Sequence, residues 1–184
     1  MLAPPWQMPW RLRLSGSQFR LINHPIMHTR SVHALELKIP LFALVIGVAV
    51  LMWVAAAYSP GLNVKFPFQP VVAWAFGLWG VITCVLGVVA FKRAKTTVNP
   101  TKPESSSSLV TSGIYRRSRN PMYLGFLLML AGWAAARANL VAFLALPGFV
   151  LYMNQFQIKP EERALMSIFG DKFKTYCSSV RRWI

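Results

Sequence analysis

The sequence predicts an all-α polytopic membrane protein, with about four transmembrane helices and an amphipathic C-terminal helix lying at the membrane interface. Three observations lead there. Of 184 residues, 55% are hydrophobic, and they fall in long uncharged runs. The 20 Lys and Arg against five Asp and Glu are segregated between those runs rather than spread among them. The last 25 residues alternate apolar and basic positions at helical spacing.

Residues 1–34 form an N-terminal arm unlike the rest, with Pro4, Pro5, Pro9 and Pro25, four arginines and no acid. The arm is expected to be disordered or outside the native fold, with Met27 as the alternative start. His24, His28 and His33 sit there without a cysteine or carboxylate cluster, so no metal site is expected. Residues 35–184 are expected to form one membrane domain.

The first span is Ile39 to Tyr58, inside a stretch with no charged residue between Lys38 and Lys65. Its ten Leu, Ile, Val and Phe residues favour insertion by about 3 to 6 kcal/mol. The second, Val71 to Phe91, carries Gly77, Gly80, Cys84 and Gly87 on one face, a stripe that suits close helix packing. A polar connection from Lys92 to Ser112 follows, with Asn99-Pro100, Lys102-Pro103 and Ser105 to Ser108. Two shorter apolar stretches, Met122 to Ala136 and Leu140 to Ile158, are separated by Arg137-Ala138-Asn139 and read as a helical hairpin. After Pro160, the residues Leu165, Phe169, Phe173, Tyr176, Val180 and Trp183 recur every three or four positions. That helix, with a break expected at Gly170-Asp171, is predicted to lie along the membrane surface.

A net charge of +15 is compatible with nucleic acid, but its placement argues for a membrane. With the N-terminus, the 92–121 connection and the C-terminus on the cytoplasmic side, only Lys65 and Arg137 lie outside, which leaves 18 positive residues inside. Anionic membrane lipids account for this basicity, so no nucleic-acid partner is expected. The same count predicts four crossings with both termini cytoplasmic. Cys84 falls mid-span and Cys177 in the tail, which makes a disulfide between them implausible.

The charges beside hydrocarbon carry the functional information. Asn120-Pro121 is by its grammar a helix start, Asn at the cap and Pro in the first turn. Pro160-Glu161-Glu162 reads the same way, with acids where the helix dipole favours them. The hairpin topology brings both starts to one depth of the membrane. Two helix N-termini, Arg116, Arg117 and Arg119, and two glutamates would then ring one interfacial pocket. Helix-start amides and Arg119 suit a carboxylate or phosphate. Glu161 or Glu162 suits an ammonium group or ribose hydroxyls, and Tyr115, Tyr123 and Phe156 offer faces for an adenine or a sulfonium. Gly113 and Gly125 permit close backbone approach, or serve a turn and helix packing respectively.

The pattern Leu109-Val110-Thr111-Ser112-Gly113-Ile114-Tyr115, Arg119-Asn120-Pro121-Met122-Tyr123-Leu124-Gly125, Gly132, Glu161-Glu162-Arg163, Leu165, Phe169-Gly170, Phe173, Tyr176 and Val180-Arg181-Arg182 resembles the isoprenylcysteine carboxyl methyltransferase and phospholipid methyltransferase family. The resemblance covers residues 109–182. It implies S-adenosylmethionine bound in that region and methyl transfer to a lipophilic small molecule or lipid. It makes Gly113, Tyr115, Arg119, Asn120, Pro121, Tyr123, Gly125, Glu161 and Glu162 the cofactor-pocket candidates, with Glu161, Glu162 and Arg119 as the catalytic set. Many members have His where this chain has Asn120. Asn takes up no proton near neutral pH, which tilts the expectation toward an anionic acceptor or toward Glu161 or Glu162 as base.

The rival readings are a nicotinamide-dependent membrane reductase related to sterol reductases, and a non-enzymatic membrane protein whose motifs are caps and anchors. The short chain suggests a bacterial inner membrane. Nothing in the sequence selects the acceptor or the oligomeric state.

Overall fold

The structure, a computed structural model, describes residues 40–94 and 108–184. The N-terminal arm with its three histidines and most of the polar connection, residues 95–107, lie outside the described residues.

The described residues are helical, with no β-strand among them. Helix α1 is Leu41–Tyr58 and α2 is Gln69–Arg93. Helix α3 is Pro121–Arg137, α4 Leu140–Tyr152, α5 Lys159–Phe169 and α6 Asp171–Ser179. Three helical stretches are long and apolar enough to cross a membrane: Leu41–Tyr58, Gln69–Arg93 and a continuous Leu140–Phe169. Tryptophans and aliphatic side chains on α1 and α2, among them Trp53, Trp74 and Trp79, face outward. Such a surface belongs in lipid, not water.

The small-residue stripe of α2 packs against α3. A Cβ on Gly80 would lie 2.6 Å from the Gly125 carbonyl oxygen, and one on Gly132 2.7 Å from the Ala73 carbonyl oxygen. Gly125 meets Cys84 Sγ and the Gly80 carbonyl in the same way. The two backbones therefore approach as only glycine allows, and dispersion between the helix surfaces holds them.

At one end of the helices the chain is tied by Asn139, which is fully buried. Its side-chain oxygen accepts from Val141 N–H at 2.9 Å and caps α4. Its amide donates to the Ser59 carbonyl at 2.8 Å and to Asn63 Oδ1 at 2.9 Å. Val64 N–H donates to the Ala138 carbonyl beside it at 2.7 Å. One buried amide thus joins the α1–α2 and α3–α4 connections and fixes the helices' relative height.

The opposite end departs from the sequence expectation. No new helix starts at Pro160. Six residues, Met153–Ile158, form a π-helical segment that joins α4 to α5 without interruption, and Lys159 N–H donates to the Asn154 carbonyl five residues back. Proline lacks the N–H for an ordinary turn, and its ring crowds the carbonyl four residues earlier. A widened turn relieves both demands while the helix continues. The expected second N-terminus therefore does not exist, and the glutamates stand on the flank of a long helix.

The break at Gly170 is present, with φ +50° between α5 and α6. Phe173 and Tyr176 of α6 and Val180 just after it pack with Leu109, Leu165 and Phe169, folding the tail back over α5.

Candidate functional site

A cleft opens where the end of α2, the segment around residues 108–123, α5 and α6 converge. Its empty space, counted out to the open mouth, is about 680 Å³. Phe91 of α2 and Tyr115 form one wall, their rings edge to face at 5.4 Å. Phe173 and Tyr176 also line it, and Arg119, Asn120, Tyr123, Glu161 and Glu162 supply the polar groups.

Local backbone chemistry sets these side chains. Gly113 takes φ +63°, which turns the chain into a single 3₁₀ turn, Gly113–Arg116, and sends Tyr115 into the core. Pro121 begins α3 in the first turn, as its fixed φ favours. Asn120 occupies the cap position without capping. Its amide donates instead to the Arg182 carbonyl at 3.0 Å, and Ser118 Oγ accepts its backbone N–H at 3.1 Å.

The adjacent glutamates take different partners. Glu161 Oε2 accepts the Tyr123 hydroxyl at 2.8 Å. Glu162 receives a two-pronged contact from Arg182, Nη2 at 2.6 Å and Nε at 3.1 Å, and Arg119 Nη1 at 3.0 Å. Arg119 Nη1 also lies 2.7 Å from Cys177 Sγ, while its Nε is buried without a hydrogen-bond partner among the described residues. The Glu162 fork holds the Arg182 guanidinium above its ordinary pKa. Tyr176 donates to the Tyr115 carbonyl at 2.7 Å, and burial pushes both phenols up, so they stay neutral.

Of the candidates drawn from the sequence, Tyr115, Arg119, Asn120, Tyr123, Glu161 and Glu162 line the same cleft. Gly113, Pro121 and Gly125 do not: Gly113 serves the turn, Pro121 is buried at the start of α3, and Gly125 serves the contact with α2. Phe156 packs on Tyr152, ring centroids 4.9 Å apart, away from the cleft, and Arg116 and Arg117 are exposed. Arg182, Tyr176, Phe173 and Phe91 are among the residues at the site that were not sequence candidates. Tyr176 and Arg182 stood in the amphipathic tail as surface anchors, and Phe91 closed a hydrophobic span. Tyr176 and Arg182 carried part of the family pattern, but nothing in one dimension assigned them to the cleft, because tertiary contact brings them in.

The phospholipid methyltransferase family model matches residues 68–172, more than half of the chain. An uncharacterized protein of Haemophilus influenzae is 46% identical over 63 residues, which is 34% of this chain and the whole of that protein. Protein-S-isoprenylcysteine O-methyltransferase B of Arabidopsis thaliana is 26% identical over 147 residues, 76% of this chain and 71% of that one. Methanethiol S-methyltransferase of Pseudomonas deceptionensis is 32% identical over 111 residues, 55% of this chain and 40% of that one. No solved structure gives a significant match. With its outward-facing apolar helices and its match across α2 to α5, the chain belongs to the phospholipid methyltransferase family and is a membrane methyltransferase.

Proposed function

We propose that the protein transfers the methyl group of S-adenosylmethionine to a lipophilic acceptor bearing a carboxylate, thiol or amine, at the cytoplasmic face of a bacterial inner membrane. On this reading residues 35–184 are one domain, and α3 makes the fourth crossing at about 26 Å of helix. Both termini are then cytoplasmic, and α6 rests at the interface.

The single observation that supports this reading is the meeting of Glu161, Tyr123, Arg119 and the aromatic rings of Phe91, Tyr115, Phe173 and Tyr176 in one cleft at the helix ends. A carboxylate among aromatic rings suits an ammonium and a sulfonium. The unpartnered Arg119 Nε–H suits the donor's carboxylate. Tyr123 holds Glu161 in place by hydrogen bond. Glu162 is committed to Arg119 and Arg182, so its role is to position Arg119 and not to take a proton.

In the transfer, the bond from methyl carbon to sulfonium sulfur breaks as the acceptor atom bonds to that carbon, and the electron pair leaves with sulfur as a neutral thioether. The protein's share is alignment and exclusion of water, for which the aromatic walls are suited. A carboxylate or thiolate acceptor reacts without losing a proton. An amine acceptor would need Glu161 as base.

Isothermal titration of S-adenosylmethionine into the protein in lipid nanodiscs tests the reading. Wild type is expected to bind, and Glu161→Ala and Arg119→Ala to lose about tenfold or more in affinity. Absence of binding by wild type removes the proposal. Mass spectrometry of lipid extracts incubated with isotope-labelled donor would identify the acceptor.

A further inference from the structure

Beside the cleft, α5 and α6 leave a second and more open groove. Lys159, Glu162, Arg163 and Met166 line it from α5, and Phe173 lines it from α6. The three α5 residues after Lys159 follow at helical spacing, so all four share one face of that helix. Lys159, Arg163 and Met166 are exposed. Glu162 and Phe173 also line the cleft, so groove and cleft have part of a wall in common.

Positive charge prevails in this groove. Glu162 is the acid among its lining residues, and both carboxylate oxygens are occupied, Oε1 by Arg119 and Arg182 and Oε2 by Arg182. Glu161 lines the cleft instead. Lys159 Nζ donates to Gln155 Oε1 at 2.8 Å, and an ammonium has two further N–H groups to offer. Arg163 adds a guanidinium, whose donors suit phosphate oxygens.

The groove also lies at a definite depth. No Asp, Glu, Lys or Arg occurs from Ala138 to Ile158, so Lys159 is the first charge on the continuous Leu140–Phe169 helix. From Leu140 to Lys159 the helix rises about 28 Å, close to the ~30 Å of a bilayer's hydrocarbon core. Lipid phosphates therefore stand level with Lys159 and with the next turn, which carries Arg163.

We propose that the groove between α5 and α6 seats the head group of an anionic phospholipid, its phosphate between Lys159 and Arg163 and its outer end against Met166. The acyl chains run the other way, along α4, where Leu144 and Leu151 are exposed. A soluble anion has the charge for this groove but no hydrocarbon to hold it at that depth. The lipid is a bound partner outside the cleft and is not the methyl acceptor. The inference goes beyond methyl transfer and stands without it.

The test uses the full chain in phosphatidylcholine nanodiscs that carry a trace of phosphatidylglycerol with a diazirine near its head group, or phosphatidylcholine with the same diazirine. Phosphatidylglycerol has no amine, so it reports the groove and not an amine-methylating site. After illumination, the peptides spanning residues 159–177 are expected to carry about tenfold or more label from phosphatidylglycerol than from phosphatidylcholine. Lys159→Gln combined with Arg163→Gln should abolish that preference. Lys172→Gln combined with Lys174→Gln removes the same charge from α6 and should leave it in place. The wild-type map stands by itself if the Lys159 and Arg163 variant does not fold. Equal labelling by the two lipids, label spread evenly along the chain, or an equal loss in the α6 variant overturns the assignment; the last would mean a diffuse attraction to the membrane surface.

Discussion

Glu161 and Glu162 are neighbours in sequence but face separate tasks, because successive residues on a helix point about 100° apart. Glu161 meets the Tyr123 hydroxyl and opens on the cleft; Glu162 is clamped between two guanidiniums. The residue types of this pair, and those of Arg119, Tyr115 and Tyr123, were legible as charges and aromatics beside hydrocarbon. Their partners were not, since Arg182 and Tyr176 lie 20 or more residues away in sequence from the groups they bind. Tyr123→Phe should lower kcat/KM for methyl transfer by about tenfold or more, the worth of a hydrogen bond to a charged group, with the helical circular dichroism unchanged. Labelled-methyl incorporation measures it, and an unchanged rate would remove Tyr123 from the mechanism. Burial raises the phenols of Tyr115 and Tyr176 above their ordinary value near 10. The folded state therefore favours the neutral hydroxyl, and its stabilisation is fully present below about pH 10 and is lost as pH rises toward the folded-state value. Thermal unfolding followed from about pH 7 to about pH 11 should hold steady and then fall at the alkaline end. Tyr176→Phe should start lower by about 1 kcal/mol and show a shallower alkaline fall.

Helix positions were the most readable part of the chain, because apolar runs bounded by charge, proline and glycine carry a strong local signal. The α3–α4 turn at Arg137-Ala138-Asn139 and the Gly170 break stand where the sequence pattern puts them. Pro160 misled for a physical reason: proline in a first turn and proline inside a widened turn look alike in one dimension. Only the neighbouring hydrogen bond, Lys159 N–H to the Asn154 carbonyl, distinguishes them. Pro160→Ala restores the missing N–H and lets the turn close to ordinary spacing. That would rotate Glu161 and Glu162 by about 100° relative to α4. Methyl transfer should fall at least about tenfold while unfolding temperature holds or rises, since alanine favours the helix. Full activity in this variant would mean that the widened turn does not set the glutamates' direction.

In the whole molecule, the last residues act as a strap. Arg181 and Arg182 accept through their carbonyls from Arg119 N–H and Asn120, Arg182 clamps Glu162, and the Trp183 indole N–H donates to Asn154 Oδ1 at 3.1 Å. The tail thus crosses from the segment before α3 to the π-helical segment and holds one side of the cleft together. Truncation after Val180 should leave the helices assembled, because α2–α3 packing and the Asn139 junction are untouched. It should remove most methyl transfer, about a hundredfold, because Arg119 and Glu162 both lose a partner. Limited proteolysis and the labelled-methyl assay separate these two effects. By itself the sequence determined that this chain is helical, belongs in a membrane and carries a charged motif at a span's edge, because the insertion of apolar runs and the cost of charge beside hydrocarbon are local quantities. Which charge meets which, that Asn120 serves the tail instead of capping, and that Gly125 serves packing were decided by tertiary structure alone, since each depends on segments far apart in the chain arriving in contact.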